Sequence, residues 1–203
     1  MMALTDEEQF VILHNCVFIL HNGEGNYRAA KAYRDRPLEC FYTSYTTIHR
    51  HAEFYRLCDN TEPMRKAPHI IEKFKEALLK MRDALVPIFD RLQPTELEWL
   101  AAITLAVWAM GAARSNDRTV QLNENYRKRI FSELHVLYRD EFKLDNYAVR
   151  MGELMSLAYA LEHSTLNFVN IVRLLDVFNV YEEGSFASEI VSPKIATDAA
   201  DDY

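Results

Sequence analysis

The chain has 203 residues, a length for one domain, and its hydrophobic and charged fractions, 49% and 26%, are those of a chain that buries a core. A formal net charge of −7 repels polyanions, so no direct nucleic-acid partner is expected. Five glycines and six prolines are too few to punctuate turn-rich β-structure, which leaves long helices and an all-α fold.

Thr5-Asp6-Glu7-Glu8 predicts a capping box, in which a hydroxyl and a carboxylate three residues on satisfy orphan backbone donors. The helix it opens is apolar nearly all round from Phe10 to Leu20, so it is expected to lie buried on most sides. That run is too short to span a bilayer, which takes roughly 20 residues, and it lacks a basic leader; no membrane is expected. Gly23 and Gly25 are expected to loosen or end the helix, with Tyr27 to Tyr33 able to continue it. Residues 34–67 read as irregular, and within them Leu38 to Thr47 is the one place for a short hairpin.

Ile70, Phe74, Leu78, Met81, Leu85, Phe89 and Leu92 recur at helical spacing and predict a second helix, which Pro87 should kink or split. Thr95-x-x-Glu98 is a second capping box, opening a helix apolar over most of its circumference through Trp108. A loop around Gly111 to Arg118 leads to an amphipathic helix over roughly 119–142, with Ile130, Leu134, Leu137 and Tyr138 inward. Its basic run, Arg127-Lys128-Arg129, reads as a solvated face. Asp145 is expected to cap the last long helix, which carries Leu154, Leu157, Leu161, Phe168 and Leu175 and is open to bending at His163-Ser164-Thr165. Apolar helices wrapped by amphipathic ones predict a three-layer helical sandwich. From Ser192 the chain is acidic and nearly without apolar residues, so 192–203 is expected to be a disordered tail behind a 1–191 domain.

Little in this inventory points to chemistry. Cys16, Cys40 and Cys58 are odd in number, form no C-x-x-C pair, and fit reduced thiols of the cytosol or nucleus; no metal ligand set is expected. There is no G-x-S-x-G, H-E-x-x-H or glycine-rich phosphate loop, and the histidines are not spaced to share a metal on a helix. The expectation is a protein with no catalytic residues and no cofactor.

The order of the pieces resembles the ligand-binding domain of nuclear hormone receptors, above all the expanded nematode branch. Leu4 to Leu13, with Glu8-Gln9 before an apolar run, resembles the signature between the family's third and fourth helices, Glu8 standing where the family has Asp. Leu92 to Ile103 resembles the eighth helix with its lead-in, and Tyr147 to Leu157 the opening of the tenth. Phe186-Ala187-Ser188-Glu189-Ile190-Val191 is similar to the terminal activation helix, with Ala187 smaller than the family prefers.

The resemblance implies a transcription-factor module in the nucleus or cytoplasm that acts by coregulator binding and dimerisation. Phe186, Glu189 and Ile190 would bind a coactivator or corepressor helix. Arg150, Leu154 and Leu157 would serve a homo- or heterodimer with another receptor; apart from the resemblance, Arg150 is expected to pair with an acidic residue near the start of the 95–108 helix, Glu98 being the first candidate. Phe18, Met81 and Met155 would line a pocket for a small lipophilic ligand. The resemblance also implies an upstream zinc-finger module and a third helix bearing a Lys that faces the activation-helix Glu. Neither is in this sequence, so the expectation is a domain lacking its early helices, either truncated or degenerate. The alternative is a ligand-independent helical scaffold or dimerisation partner without a working pocket.

Overall fold

The computed structural model of the chain describes residues 5–32, 40–42, 48–50, 56, 68–112 and 117–177. Within these, the chain forms helices α1 (Asp6–Ala32), α2 (Pro68–Leu92), α3 (Glu96–Ala112), α4 (Asp117–Val136) and α5 (Ala148–Val177). One antiparallel pair, β1 (Cys40–Tyr42) with β2 (Ile48–Arg50), interrupts them; its register sets Phe41 opposite His49, so the second strand begins one residue beyond the expected hairpin. The described chain is otherwise helical, as the sequence predicts.

Both capping boxes form. Thr5 N–H donates to Glu8 Oε2 at 2.8 Å and Glu8 N–H to Thr5 Oγ1 at 3.2 Å; Thr95 and Glu98 exchange the corresponding bonds at 2.9 and 3.3 Å. The start of α5 departs from expectation, because Asn146 Oδ1, not Asp145, accepts from the first-turn N–H of Ala148 at 3.0 Å.

Two expected breaks are absent. α1 runs through Gly23 and Gly25 to Ala32, and α2 runs through Pro87 unsplit, with Leu85, Val86, Phe89 and Leu92 buried on either side of the proline. Packing of an apolar face outweighs local propensity in both helices. α2 then stops where Gln93 turns left-handed (φ 44°) ahead of Pro94.

α1 packs against α2, α3 and α5, α3 also meets α4 and α5, and α2 lies along α5. The main core joins Ile19, Leu85, Phe89, Trp99, Ala102, Leu134, Tyr138, Leu154, Leu157 and Leu161 across all five helices. A smaller cluster sets Phe18 of α1 against Phe168, Val169 and Val172 of α5.

The front of α1 is less enclosed than its composition suggests. Asn15, Phe18 and Ile19 are buried, whereas Phe10, Leu13, Val17 and Leu20 form an apolar stripe exposed by 39–62% that no described element covers. α3 likewise leaves Leu97 and Leu100 open. Among the described residues no helix is long and apolar enough to cross a membrane.

Candidate functional site

The amphipathic helix expected over 119–142 changes character near its end. Past Val136 the backbone widens into a π-helical turn, Leu137–Glu141, closed by Phe142 N–H to Leu137 O at 2.9 Å. The turn buries both Leu137 and Tyr138, and the Tyr138 hydroxyl then reaches Glu98 at the start of α3, donating to Oε1 at 2.8 Å.

Glu98 is fully buried and meets five donors. Besides Tyr138, its carboxylate accepts from Thr95 N–H (2.9 Å), the Thr95 hydroxyl (3.0 Å), and Arg150 Nε and Nη2 (2.7 Å each). The two Arg150 bonds form a bidentate fork, the geometry in which guanidinium and carboxylate pair best. Arg150 also donates from Nη1 to Leu92 O at the end of α2 (3.4 Å) and lies over the Phe142 ring at 5.5 Å. One ion pair thereby ties α2, α3, the π turn and α5 together.

The pair stays charged. Burial by itself would raise the Glu98 carboxyl, but the bonds from Arg150, Thr95 and Tyr138 outweigh it and hold the group below the ordinary carboxylate range. Burial, and then the adjacent carboxylate, pushes the Tyr138 phenol up, so it remains a donor. The Glu98 hydrogen bonds raise Arg150 further.

A second junction binds α1 to α3. Trp99 stacks on Tyr27 with centroids 4.7 Å apart, meets Phe89 edge-on at 5.6 Å, and donates from Nε1 to Glu24 Oε2 at 3.0 Å. Glu24 holds Arg28 with its other oxygen at 2.6 Å. α1 and α3 come this close because position 23 is glycine: a Cβ there would stand 2.8 Å from Trp99 Cη2 and 2.9 Å from Leu161 Cδ2.

The structure distributes the sequence-predicted residues as follows. Arg150 and Glu98 are joined as expected. Leu154 and Leu157 are wholly buried in the chain's own core, so their side chains are closed to a partner. The helical period turns them into the main core, and α5 instead exposes Val149 and Tyr159. Phe18 belongs to the smaller cluster, while Met81 and Met155 pack with the main one. The groove between α2 and α5, about 560 Å³, is lined by Met81 but by neither Phe18 nor Met155. Phe186, Glu189 and Ile190, like the 192–203 tail, lie outside the described residues. No group of three or more His, Cys, Asp or Glu side chains that could hold a metal occurs among the described residues.

Residues 1–178 match the family model for the ligand-binding domain of nuclear hormone receptors. The chain belongs to that family.

Relatives of this ligand-binding domain include nuclear hormone receptor family member nhr-43 of Caenorhabditis elegans, 31% identical over 98 residues, which are 47% of this chain and 21% of the relative. Family member nhr-28 of Caenorhabditis briggsae is 28% identical over 115 residues, 57% of this chain and 26% of the relative. Family member nhr-86 of C. elegans is 24% identical over 146 residues, 70% and 35% respectively. The matched stretches span between about a fifth and a third of these relatives' lengths. No solved structure matches the chain. The helical architecture of the described residues is that of the family.

In the sequence Tyr138 reads only as inward on its helix and Gly23 as a helix breaker, and the junctions that they, Glu24 and Trp99 build are not legible there. Only Gly23 carried a local signal, a glycine inside a helical pattern, which marks close approach as readily as a break.

Proposed function

We propose that this ligand-binding domain works without catalysis in the nucleus, presenting a docking surface for coregulator helices and pairing through α5 with a second receptor chain. The observation that carries the first part is the apolar stripe of Phe10, Leu13, Val17 and Leu20 on α1. Such a stripe matches the apolar face of an amphipathic partner helix. Glu189 supplies the carboxylate for the free N-terminal amides of that helix, with Phe186 and Ile190 packed on the domain.

Titrating a leucine-rich coactivator helix peptide tests this reading. Glu189→Ala is expected to weaken it tenfold or more, in line with the roughly 1.5–3 kcal/mol of a charge-assisted hydrogen bond. Leu13→Glu is expected to abolish it. Equal affinity in all three chains contradicts the reading.

For pairing, the exposed Val149 and Tyr159 replace Leu154 and Leu157 as the contact residues, and Arg150 acts by fixing the start of the helix that carries them. In an isologous dimer each residue meets its own surface again. Light scattering is expected to give twice the chain mass at micromolar concentration, falling to one chain in Val149→Glu. A monomeric wild-type chain rules the dimer out.

A second reading has its own observation. Phe18 packs in the smaller cluster and Met81 and Met155 with the main one, and of the three only Met81 lines the groove between α2 and α5, which supports a ligand-independent scaffold over a receptor for a small lipophilic molecule. A lipophilic compound that raises the melting temperature decides for the receptor, because only binding to the folded state shifts that equilibrium.

A further inference from the structure

The basic run on α4 has a second feature that the solvated-face reading leaves unused. Ser132 is the one serine or threonine in the sequence with arginine both three and five residues before it, at Arg129 and Arg127. Arg127, Lys128, Arg129 and Ser132 are all exposed. Lys128 and Arg129 form no ion pair with any described residue, while Arg127 lies over the Phe131 ring at 6.0 Å. The Ser132 hydroxyl donates to Lys128 O at 3.0 Å, one turn back on the same helix face.

We propose that Ser132 is a phosphorylation site for a basophilic protein kinase, the class whose acidic substrate cleft pairs with arginines upstream of the acceptor. In the transfer, Ser132 Oγ forms a bond to the γ-phosphorus of ATP as the bond from that phosphorus to the β–γ bridging oxygen breaks. ADP leaves, and the hydroxyl proton passes to the kinase's base. The product loses the hydroxyl donor to Lys128 O and gains a phosphate of about −1.5 to −2 charge. The Lys128 ammonium and Arg129 guanidinium, four and three residues back, are placed to pair with it. Glu133 beside it and the negative end of α4 oppose the new charge, so phosphorylation also loosens the approach to the π turn.

A kinase cleft takes its substrate extended, so α4 must open locally over this turn. Residues 124–129 are exposed on every side chain, and the stretch is held mainly by half-buried Ile130 and Phe131 and by buried Leu134. Segments with few buried contacts are the ones that open below the global unfolding free energy.

The test incubates the full chain with a basophilic protein kinase and ATP and maps incorporation by mass spectrometry. One phosphate on Ser132 is expected, lost in Ser132→Ala at an unchanged melting temperature, and at least tenfold slower in Arg129→Gln and in Arg127→Gln. Absence of phosphate at Ser132 overturns the proposal. So does an unchanged rate when both arginines are replaced, because the arginines would then not be what the kinase reads.

Discussion

Arg150→Met is expected to cost about 3–5 kcal/mol of folding stability, because it strands a fully buried carboxylate. In the native chain that carboxylate has five donors; removing Arg150 takes the two shortest and the only positive charge. Urea unfolding reads the loss directly as a lower midpoint. Adding Glu98→Gln to Arg150→Met removes the stranded charge while keeping an oxygen acceptor for Tyr138 and Thr95, so the double variant should recover much of the loss. A single-variant cost under about 1 kcal/mol, the value of an exposed pair, would show that the pair does not hold these elements. Acid provides a second reading. The Glu98 carboxyl is held below its unfolded value, so its stabilisation is full above the ordinary carboxylate range and is lost as pH falls through the lowered native value. The gap between wild type and Arg150→Met should therefore narrow on acidification.

Glycine replacement should act in opposite directions at two helical positions. Gly152 on α5 has nothing within 4 Å of the place a Cβ would occupy, so Gly152→Ala is expected to stabilise by up to about 1 kcal/mol through helix propensity. Gly23→Ala gains the same propensity but drives its methyl into Trp99 and Leu161. Neither neighbour can yield cheaply. Leu161 is fully buried, and Trp99 is held by Tyr27, Phe89 and the bond to Glu24. Overpacking of this kind costs about 1–3 kcal/mol, so the net effect at position 23 is destabilising. Thermal melts of the two variants check both signs, and a Gly23→Ala chain as stable as Gly152→Ala would remove the close approach of α1 to α3.

Features that depend on a few adjacent residues were legible in the sequence. Both capping boxes, the helical runs of α2 to α5 and the hairpin after α1 follow from local patterns. The Arg150–Glu98 pair was legible in part, as the first candidate among acidic residues near the start of α3. What depended on long-range packing was not. Nothing around Leu137 announces a π turn, yet that turn carries Tyr138 to Glu98. Gly23 reads as a breaker until Trp99 and Leu161 are placed against it. The apolar run of α1 points to burial on most sides, yet Leu13 stays 62% exposed, because composition does not say which faces the other described elements cover. In the sequence an apolar stripe such as Leu154 and Leu157 looks the same whether it faces a core or a partner, and here both residues are buried.

The coregulator recruitment proposed for this chain can be read in a reporter assay. The full chain, fused to an unrelated DNA-binding domain, is placed upstream of a reporter carrying that domain's site. The fusion is expected to change reporter output relative to the DNA-binding domain alone, and Leu13→Glu and Glu189→Ala are each expected to abolish the change while the fusion accumulates normally. Output equal to that of the bare DNA-binding domain, or a change that survives both substitutions, would contradict the proposed recruitment.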